Sequence, residues 1–238
     1  MMIGWRARLG VLVPSANIVL EPDMYRMIPS GVTAHFARVW ITEDSPEELS
    51  KMIDYVPKAC QELAHALVDV YGFGCTSGSF LKGLDYDRKI IEIIKENTGK
   101  PATSVSTACI EGLRELNISR ISLATPYEEW LNEKQKTFFE ENGIEVVEMK
   151  GLGTRNAEEI ASQDPGRIYR LAREVDCSEA QAIFISCTDF RACEALDVIE
   201  KDSRKPALSS NQMLLRTMLK LANVYEPIKG YGSFLIRN

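Results

Sequence analysis

The chain has 238 residues, of which 45% are hydrophobic and 26% charged, and its formal net charge is −6. Such a composition is typical of a globular protein of one or two domains, and the acidic balance argues against a nucleic-acid partner, since phosphate binding needs a cationic surface. No apolar run approaches the roughly 18 residues of a membrane helix, and the stretch from Leu9 to Val13 is too short for the core of a signal peptide. We therefore expect a cytoplasmic protein that binds neither nucleic acid nor membrane.

Short apolar runs alternate with segments of helical periodicity along the chain. Strands are predicted over residues 8–13, 32–39, 71–74, 102–105, 120–125 and 183–186. Helices are predicted over residues 46–70, 86–97, 108–116, 128–142, 156–175, 193–201 and 211–222, with a kink or a break at Pro57 in the first of them. Nearly continuous apolar strands that alternate with helices are typical of parallel sheets covered on both faces. The sequence therefore predicts the α/β class.

The chain also contains an internal repeat. Residues 8–15 match residues 120–127, and residues 71–76 match residues 183–188, both at an offset of 112 (120 − 8 = 183 − 71 = 112). A third echo relates Lys100-Pro101-Ala102 to Lys205-Pro206-Ala207 at an offset of 105. Neither of the two segments that share the offset of 112 is compositionally biased, so the match indicates a duplication.

The duplication predicts two doubly wound parallel-sheet domains related by a pseudo-two-fold axis. Residues 1–106 with 223–238 would form the N-terminal half, and residues 107–222 the C-terminal half. No linker rich in Gly and Ser separates them, so we expect the halves to pack tightly and to share a cleft that holds the active site.

Among the six cysteines, Cys75 and Cys187 occupy equivalent positions of the repeat (187 − 75 = 112). Each is followed by a threonine at the end of an apolar strand, where open α/β sheets bind their ligands. The free N–H groups and positive end of a following helix favour a thiolate at such a position. Two thiols facing each other across the cleft could move a proton at either face of a planar intermediate, or one could attack while the other handles the proton.

The remaining cysteines are expected to be reduced and structural. No C-x-x-C motif occurs, which excludes thioredoxin-type and zinc-ribbon sites, and in a cytosolic chain a free cysteine usually packs as a small hydrophobe. This interpretation applies to Cys60, Cys109, Cys177 and Cys193.

The neighbours of the two thiols suggest a carboxylate site. Thr76 and Ser77 supply hydroxyls and consecutive backbone N–H groups for a carboxylate or a developing enediolate, and Gly78 lets the backbone approach a ligand closely. Asn17 and Tyr127 follow the first strand and its repeat and would overhang the same cleft. For these two residues, turn formation and loop packing are equally open interpretations.

Other polar residues are given structural roles. Ser106 and Thr107 are predicted as a helix N-cap. The two histidines, His35 in a strand and His65 in a helix, argue against a His-rich zinc site and against a Ser-His-Asp triad. The chain has no P-loop motif, and Gly151-Leu152-Gly153 is too weak for a dinucleotide site. We expect neither a metal nor a cofactor.

The ordered set of motifs resembles the aspartate/glutamate racemase superfamily, and within it the branch of maleate cis-trans isomerases and arylmalonate decarboxylases. The similarity spans essentially the whole chain and includes the opening run 8–17, Ser106-Thr107-Ala108, Thr125-Pro126-Tyr127, Ser186-Cys187 and Gly230-Tyr231-Gly232. The resemblance implies cofactor-independent chemistry on a small carboxylate and a homo-oligomer.

The resemblance also implies roles for individual residues. In maleate isomerases the first cysteine adds to the double bond and the second handles the proton, which would make Cys75 the nucleophile and Cys187 the acid/base. Asn17 and Tyr127 would hold the substrate carboxylates, and Thr188 is placed in the same substrate-binding set. Asn156 aligns weakly with a further substrate-binding asparagine, and a surface helix start is the competing interpretation.

Three features of this sequence differ from the motifs of one or another of these relatives. Decarboxylases of the branch have glycine where this chain has Cys75, while Thr76-Ser77-Gly78 resembles the decarboxylases and ectoine-utilisation proteins rather than the maleate isomerases. Asp189 stands where amino-acid racemases often have histidine.

The leading hypothesis is therefore a two-cysteine isomerase, maleate isomerase-like or racemase-like, that acts on a small dicarboxylate or an α-substituted carboxylic acid. A decarboxylase of malonate-type acids with Cys187 as the proton donor is the alternative enzyme. A non-catalytic sensor of small carboxylates is the alternative of another class.

Overall fold

The computed structural model describes residues 3–236 and contains two sheets of four parallel strands each. The first sheet has the order β2-β1-β3-β4, with β1 at Ala7–Pro14, β2 at Val32–Val39, β3 at Val70–Phe73 and β4 at Ala102–Ser104. The second has the order β6-β5-β7-β8, with β5 at Arg120–Thr125, β6 at Glu145–Gly151, β7 at Ala182–Ile185 and β8 at Ala207–Ser209. The identical strand orders confirm two doubly wound α/β units.

Strand register reproduces the sequence repeat. In the first sheet Leu9 of β1 pairs with Val70 of β3, and in the second Ile121 of β5 pairs with Ala182 of β7. Both partners are displaced by the same number of residues (121 − 9 = 182 − 70 = 112). The offset found in the sequence is therefore the offset between the two sheets, while the precise domain boundaries stay a prediction.

Helices connect the strands and cover both faces of the sheets. Within the described chain they are α1 Leu20–Met27, α2 Pro46–Ala64, α3 Thr76–Phe80, α4 Leu84–Thr98, α5 Val105–Glu115, α6 Glu129–Glu141, α7 Ala157–Ala161, α8 Pro165–Val175, α9 Leu196–Ser203 and α10 Ser210–Leu221. Short 3₁₀ turns lie at Ala192–Ala195 and Ser233–Leu235. Across residues 3–236, no helix has both the length and the apolar character that crossing a membrane requires.

Several predicted helices have different bounds in the structure. The helix predicted over 193–201 begins as a 3₁₀ turn at Ala192–Ala195 and continues as α9 to Ser203. The helix predicted over 46–70 ends at Ala64, and the chain reverses at Leu67 (φ +54°) before β3 begins. Pro57 lies inside α2 without dividing it. The helix predicted over 156–175 is two helices, because the Asp164 side chain accepts from the Arg167 N–H and starts α8 afresh.

The predicted N-cap at Ser106 and Thr107 is wrong. The strand before it stops at residue 104, and α5 begins at Val105, earlier than expected, because the Ser104 hydroxyl accepts from the Thr107 N–H at 3.0 Å. The Thr107 hydroxyl instead donates to the buried carboxylate of Asp87 at 2.6 Å. Strands β6 and β8 and helices α1 and α3 were not predicted from the sequence. Strand β8 and helix α3 have only three and five residues, and β6 is an edge strand that lacks the continuous apolar run expected of a buried parallel strand.

The last helix of the second half packs on the first half. Helix α10 lies against α5, β3 and β4, and Gly72 of β3 permits the contact because it has no side chain. A Cβ at Gly72 would lie 2.5 Å from the Met218 sulfur and 3.2 Å from a Leu214 methyl group. A single apolar core therefore runs from β1 through α10 into the second sheet.

The shared core predicts a large effect of Leu214→Ala. Removing this buried side chain should lower the free energy of unfolding by about 3 kcal/mol, from the lost burial and the cavity left behind. Denaturant titration followed by circular dichroism measures the change. The matched control is Leu221→Ala on the exposed side of the same helix, for which we expect a change within about 0.5 kcal/mol. Equal effects of the two substitutions would contradict the shared core.

Candidate active site

The carboxyl ends of strands from both sheets meet at a narrow cavity of about 50 Å³, which is room for a few water molecules. The first half contributes Pro14, Ala16, Asn17, Ile41, Asp44, Cys75, Thr76 and Ser77 to its lining, and the second half contributes Tyr127, Ala157, Ile160, Cys187, Thr188 and Asp189. A larger cavity of about 290 Å³ near Leu219 and Val224 has no cysteine in its lining. The structure thus brings both predicted thiols into one cleft between the halves.

Cys75 follows β3 and is the N-cap of α3. Its sulfur accepts from the Gly78 N–H at 3.3 Å and lies 3.7 Å from the Met52 sulfur. A Cβ at Gly78 would come within 2.9 Å of the Cys75 sulfur. Glycine at this position therefore lets the first turn of α3 close directly on the thiol.

Cys187 has a different backbone from Cys75 although the repeat makes them equivalent. Its φ of +102° is a conformation that residues with a side chain rarely adopt, and it costs on the order of 1–3 kcal/mol that the surroundings must offset. Its N–H donates to the Ser210 hydroxyl at 3.1 Å, and its sulfur accepts from the Asp189 N–H at 3.4 Å. The pseudo-symmetry is thus broken at the second thiol.

Thr188 and Asn17 join the two halves beside the thiols. The Thr188 hydroxyl donates to the Gly74 carbonyl oxygen at 3.0 Å and accepts from the Asn17 side-chain amide at 3.2 Å. The Asn17 side-chain oxygen in turn accepts from the N–H groups of Val19 and Leu20 at 3.1 and 2.9 Å. Asn17 and Thr188 were predicted to bind substrate, and both line the cavity. Their side chains also make hydrogen bonds within the protein.

Three buried polar atoms at the cavity have no nitrogen or oxygen hydrogen-bond partner within the described residues. They are one carboxylate oxygen of Asp189, the hydroxyl oxygen of Thr76 and that of Tyr127, which faces the Cys187 sulfur. Buried polar groups are nearly always hydrogen-bonded, since an unsatisfied one costs desolvation energy. Three such atoms around one cavity indicate a place for a polar ligand.

The backbone of Tyr127 is fixed while its hydroxyl is left available. Its N–H donates to the Thr125 hydroxyl at 3.1 Å, and its carbonyl oxygen accepts from the Asn132 amide at 3.2 Å. Burial and the Asp189 charge raise the pKa of the Cys187 thiol, and a hydrogen bond with the Tyr127 phenol partly opposes this change. The cleft contact predicted for Tyr127 therefore includes the second cysteine.

Two carboxylates line the cavity, and sequence reasoning assigned a role to neither. Asp189 accepts from the N–H groups of Ile18 and Val19 at 2.8 and 3.1 Å through one oxygen. Burial, and then the charge of Asp44, raise the pKa of Asp189 to about 7 against the lowering by those N–H groups. Burial also raises the pKa of Asp44, while a hydrogen bond from Ser77 opposes the change. Asp44 follows β2, so the rule that located Cys75 at a strand's carboxyl end applies to it as well.

The predicted thiolate is wrong for the unliganded site. Burial, followed by the charge of Asp44, raises the pKa of Cys75 to about 12, which outweighs the lowering by the Gly78 N–H and the Ser77 hydroxyl. Burial and the Asp189 charge likewise raise the pKa of Cys187. Both thiols are therefore protonated near neutral pH, because desolvation exceeds the effect of a single helix N-terminus.

Asn156 lies outside this cavity. It is exposed and caps α7, where its side-chain oxygen accepts from the Glu159 N–H at 2.9 Å. Its contribution is to position Ala157 and Ile160, which do line the cavity. Arg191 is likewise occupied elsewhere, in an ion pair with Glu194 at 3.0 Å. In the described part of the chain, no cluster of three or more His, Cys, Asp or Glu side chains is arranged to hold a metal ion.

Comparisons with known proteins lead to one family. A family model described as arylmalonate decarboxylase matches residues 9–235. The maleate isomerase of Geobacillus stearothermophilus is 27% identical over 242 residues, covering 96% of each protein. The arylmalonate decarboxylase of Bordetella bronchiseptica is 27% identical over 230 residues, covering 94% of each. A crystal structure of the maleate isomerase Iso from Pseudomonas putida S16, an alanine variant with maleate, is 25% identical and has a TM-score of 0.91, covering 96% of this chain and 97% of that one.

The raised thiol pKa values predict how Cys75 reacts with iodoacetamide. Because the pKa of Cys75 is about 12, the alkylation rate should rise about tenfold per pH unit from pH 7 to pH 10 without levelling off. Asp44→Asn removes a negative charge, lowers the pKa of Cys75 and should accelerate alkylation at pH 8 roughly threefold to tenfold.

Mass spectrometry of the Cys75 peptide measures the rate. Asp54→Asn, which changes an exposed carboxylate on α2, is the matched control and should leave the rate unchanged. A rate that levels off near pH 7, or that is the same in wild type and Asp44→Asn, would show that the thiol is not held neutral in this way.

Proposed function

The chain belongs to the arylmalonate decarboxylase family, and we propose that it is a cofactor-independent two-cysteine isomerase acting on a small dicarboxylate or an α-substituted carboxylic acid. The observation that carries the proposal is the placement of Cys75 and Cys187 in one cavity, at equivalent positions of the two halves. Relatives named maleate isomerase, which match over 96% of this chain, support the same reaction class. The described fold and this match together support the branch that the sequence motifs resemble.

Covalent catalysis by Cys75 accounts for a cis-trans isomerisation. The Cys75 thiol first releases its proton to solvent; the thiolate then adds to one carbon of the double bond, and Cys187 gives its proton to the other carbon. The resulting single bond is free to rotate. Cys187 then takes from the same carbon the other hydrogen, which rotation has brought to face it, and departure of the Cys75 sulfur as thiolate restores the double bond in the other geometry. For a racemisation, the same two thiols would remove and return a proton at opposite faces of an α-carbon.

The hydroxyl groups that line the cavity can stabilise the negative charge that develops on the substrate oxygens during the reaction. The hydroxyls of Thr76 and Tyr127 have no nitrogen or oxygen partner among the described residues and are donors that a substrate carboxylate or its enediolate can use, and Ser77 lies beside them. Donors fixed in place before the reaction stabilise such charge without reorganisation. Asn17 and Thr188 stay in the proposed substrate-binding set as lining residues, with the further task of holding the two thiol-bearing loops together.

A decarboxylase is the second candidate, and one observation favours it. The hydroxyl-rich segment Thr76-Ser77-Gly78 forms the first turn of α3 directly beside the cavity, and one relative is named arylmalonate decarboxylase. In that reaction loss of CO₂ leaves an enediolate, which Thr76, Ser77 and Tyr127 hold while Cys187 delivers a proton to carbon. Cys75 is not required for this step.

Cys75→Ala separates the two candidates. With maleate in D₂O, proton NMR of the reduced wild-type protein should show fumarate forming, and the variant should lose this activity by roughly 10⁴-fold or more because the nucleophile is gone. Cys177→Ala, which removes a thiol outside the cavity, is the control and should keep full activity.

The other outcomes are equally informative. Unchanged maleate would exclude that substrate, and the same spectra with phenylmalonate and 2-substituted acids would then report CO₂ loss or exchange of an α-proton for deuterium. Loss of CO₂ that persists in Cys75→Ala would identify a decarboxylase. Silence with every acid, together with ligand binding, would identify a sensor.

Tyr127→Phe tests the role of the phenol. The substitution keeps the backbone bonds that hold this residue and removes a donor to the charged intermediate, so kcat should fall roughly 10²- to 10³-fold with a smaller change in KM. Steady-state kinetics on the substrate identified above give both constants. Tyr169→Phe, which removes a hydroxyl bonded to Asp202 on the surface, is the control. An unchanged kcat in Tyr127→Phe would remove the phenol from the mechanism.

A further inference from the structure

We propose that the substrate carries an ammonium group in addition to its carboxylate, and that Asp44 and Asp189 bind this group. The proposal rests on the proposed function and narrows its substrate class to small amino-substituted carboxylic acids. It follows from the charges that line the cavity, from the free acceptor on Asp189 and from the donors that the same cavity presents.

The cavity is lined by acidic but not by basic residues. Asp44 and Asp189 are part of its lining, and none of the fourteen described lining residues is Lys, Arg or His. A second carboxylate on the ligand, as in maleate, meets like charges in this desolvated site, so we expect maleate to be a weakly bound substrate compared with an acid that carries an ammonium group. One positive charge on the ligand turns the same carboxylates into binding partners.

Asp189 has an acceptor that no protein group uses. The residue is 6% exposed, and one of its oxygens accepts from the N–H groups of Ile18 and Val19. These bonds fix the carboxylate plane, and the second oxygen is buried at the cavity without a partner in the described residues. An ammonium N–H is a donor that satisfies this oxygen and offsets its charge.

Asp44 lines the same cavity as Asp189 but belongs to the N-terminal half of the molecule. Its charge is felt by Asp189, Cys75 and Cys187 alike. The nearby Arg38 does not neutralise the pair, because its guanidinium bonds Glu21 at 2.7 Å and the Asn17 carbonyl oxygen. When both are ionised, the two carboxylates therefore form a centre of negative charge that no basic side chain of the cavity lining neutralises.

Donors and acceptors at the cavity suit the two ends of one zwitterion. The hydroxyls of Thr76 and Tyr127 can donate to a carboxylate, while the carboxylates of Asp44 and Asp189 can accept from an ammonium. The ammonium also affects the chemistry. Burial is the main cause of the raised pKa of Cys75 and the charge of Asp44 adds to it, so an ammonium that offsets this charge would lower the pKa of the thiol when substrate is bound.

Ligand pairs that differ only in the amino group test the proposal. The pairs are succinate with each enantiomer of aspartate, and butanoate with 4-aminobutanoate. Calorimetry is done on the protein with Cys75→Ser and Cys187→Ser, so that turnover does not enter the measurement. We expect an aminated member to bind at least about tenfold more tightly than its partner.

Asp44→Asn and Asp189→Asn, each added to this background, should reduce that preference to less than about twofold, because the amide keeps the side-chain shape and loses the charge. In Asp189 the amide oxygen can still accept from the two backbone N–H groups, and Asp44→Asn provides a second variant if Asp189→Asn fails to fold. Asp54→Asn, at an exposed carboxylate on α2, is the matched control and should keep the full preference.

The pH dependence separates this role from the opposite one, in which protonated Asp189 donates to a second substrate carboxylate. With the pKa of Asp189 at about 7, an ammonium ligand should bind more weakly as the pH falls from 8 to 6. A dianion held by a protonated carboxyl should bind more tightly over the same interval. The charged groups that face Asp189 are Asp44, Arg38 and the two thiols, and the Asp44→Asn variant reports the contribution of the first.

The proposal is overturned by equal binding within both pairs, by tighter succinate binding at low pH, or by no binding of the aminated acids at millimolar concentration. These outcomes are independent of the proposed isomerase activity. Maleate turnover without ammonium selectivity would leave the isomerase intact and remove only the cation subsite. Selective binding without turnover of any acid would support the subsite and contradict the isomerase.

Discussion

The hydrogen bond from the Thr188 hydroxyl to the Gly74 carbonyl oxygen is the contact on which the arrangement of the site depends. Gly74 directly precedes Cys75, and Thr188 directly follows Cys187, so a single 3.0 Å bond fixes the two sulfur-bearing loops relative to each other. Asn17 completes the bridge by donating to the same hydroxyl and by accepting from the N–H groups of Val19 and Leu20 where α1 begins. The separation of the thiols is therefore set by backbone and side-chain bonds across the interface, rather than by either sheet alone.

Duplication gives the chain two similar strand ends, and local structure then makes them different. Cys75 has an ordinary extended backbone and faces the N–H groups of α3, whereas Cys187 has a φ of +102° and lies beside the phenol of Tyr127. A thiol with several donors around it suits nucleophilic attack, and one next to a phenol suits proton transfer. The proposed roles of Cys75 as nucleophile and Cys187 as acid/base thus follow from the different surroundings of the two thiols.

The fold was largely predictable from the sequence, because the repeat at an offset of 112 is also the register of the sheets. The two thiols were predictable for the same reason, since each ends a strand. The predicted helix bounds were wrong where a side-chain hydrogen bond sets the first residue of the helix. At α5 the Ser104 hydroxyl caps the helix, which therefore begins before the predicted N-cap at Ser106 and Thr107. The charge state of Cys75 failed because it depends on burial and on Asp44, which lies 31 positions away in the chain (75 − 44 = 31) and reaches the site only through the fold.

The packing of α10 against Gly72 has a consequence for how a ligand enters. In many two-lobed proteins the lobes swing apart about a hinge to admit a molecule. Here such a motion would separate Leu214 and Met218 of α10 from β3 of the first sheet and would expose the apolar core that the two halves share to solvent. We therefore expect entry to use segments that belong to neither sheet, namely the connection that carries Ile41 and Asp44 and the short helix that carries Ala157 and Ile160. The two sheets would then move as one body, and access to the thiols would depend on these two segments of the cavity lining.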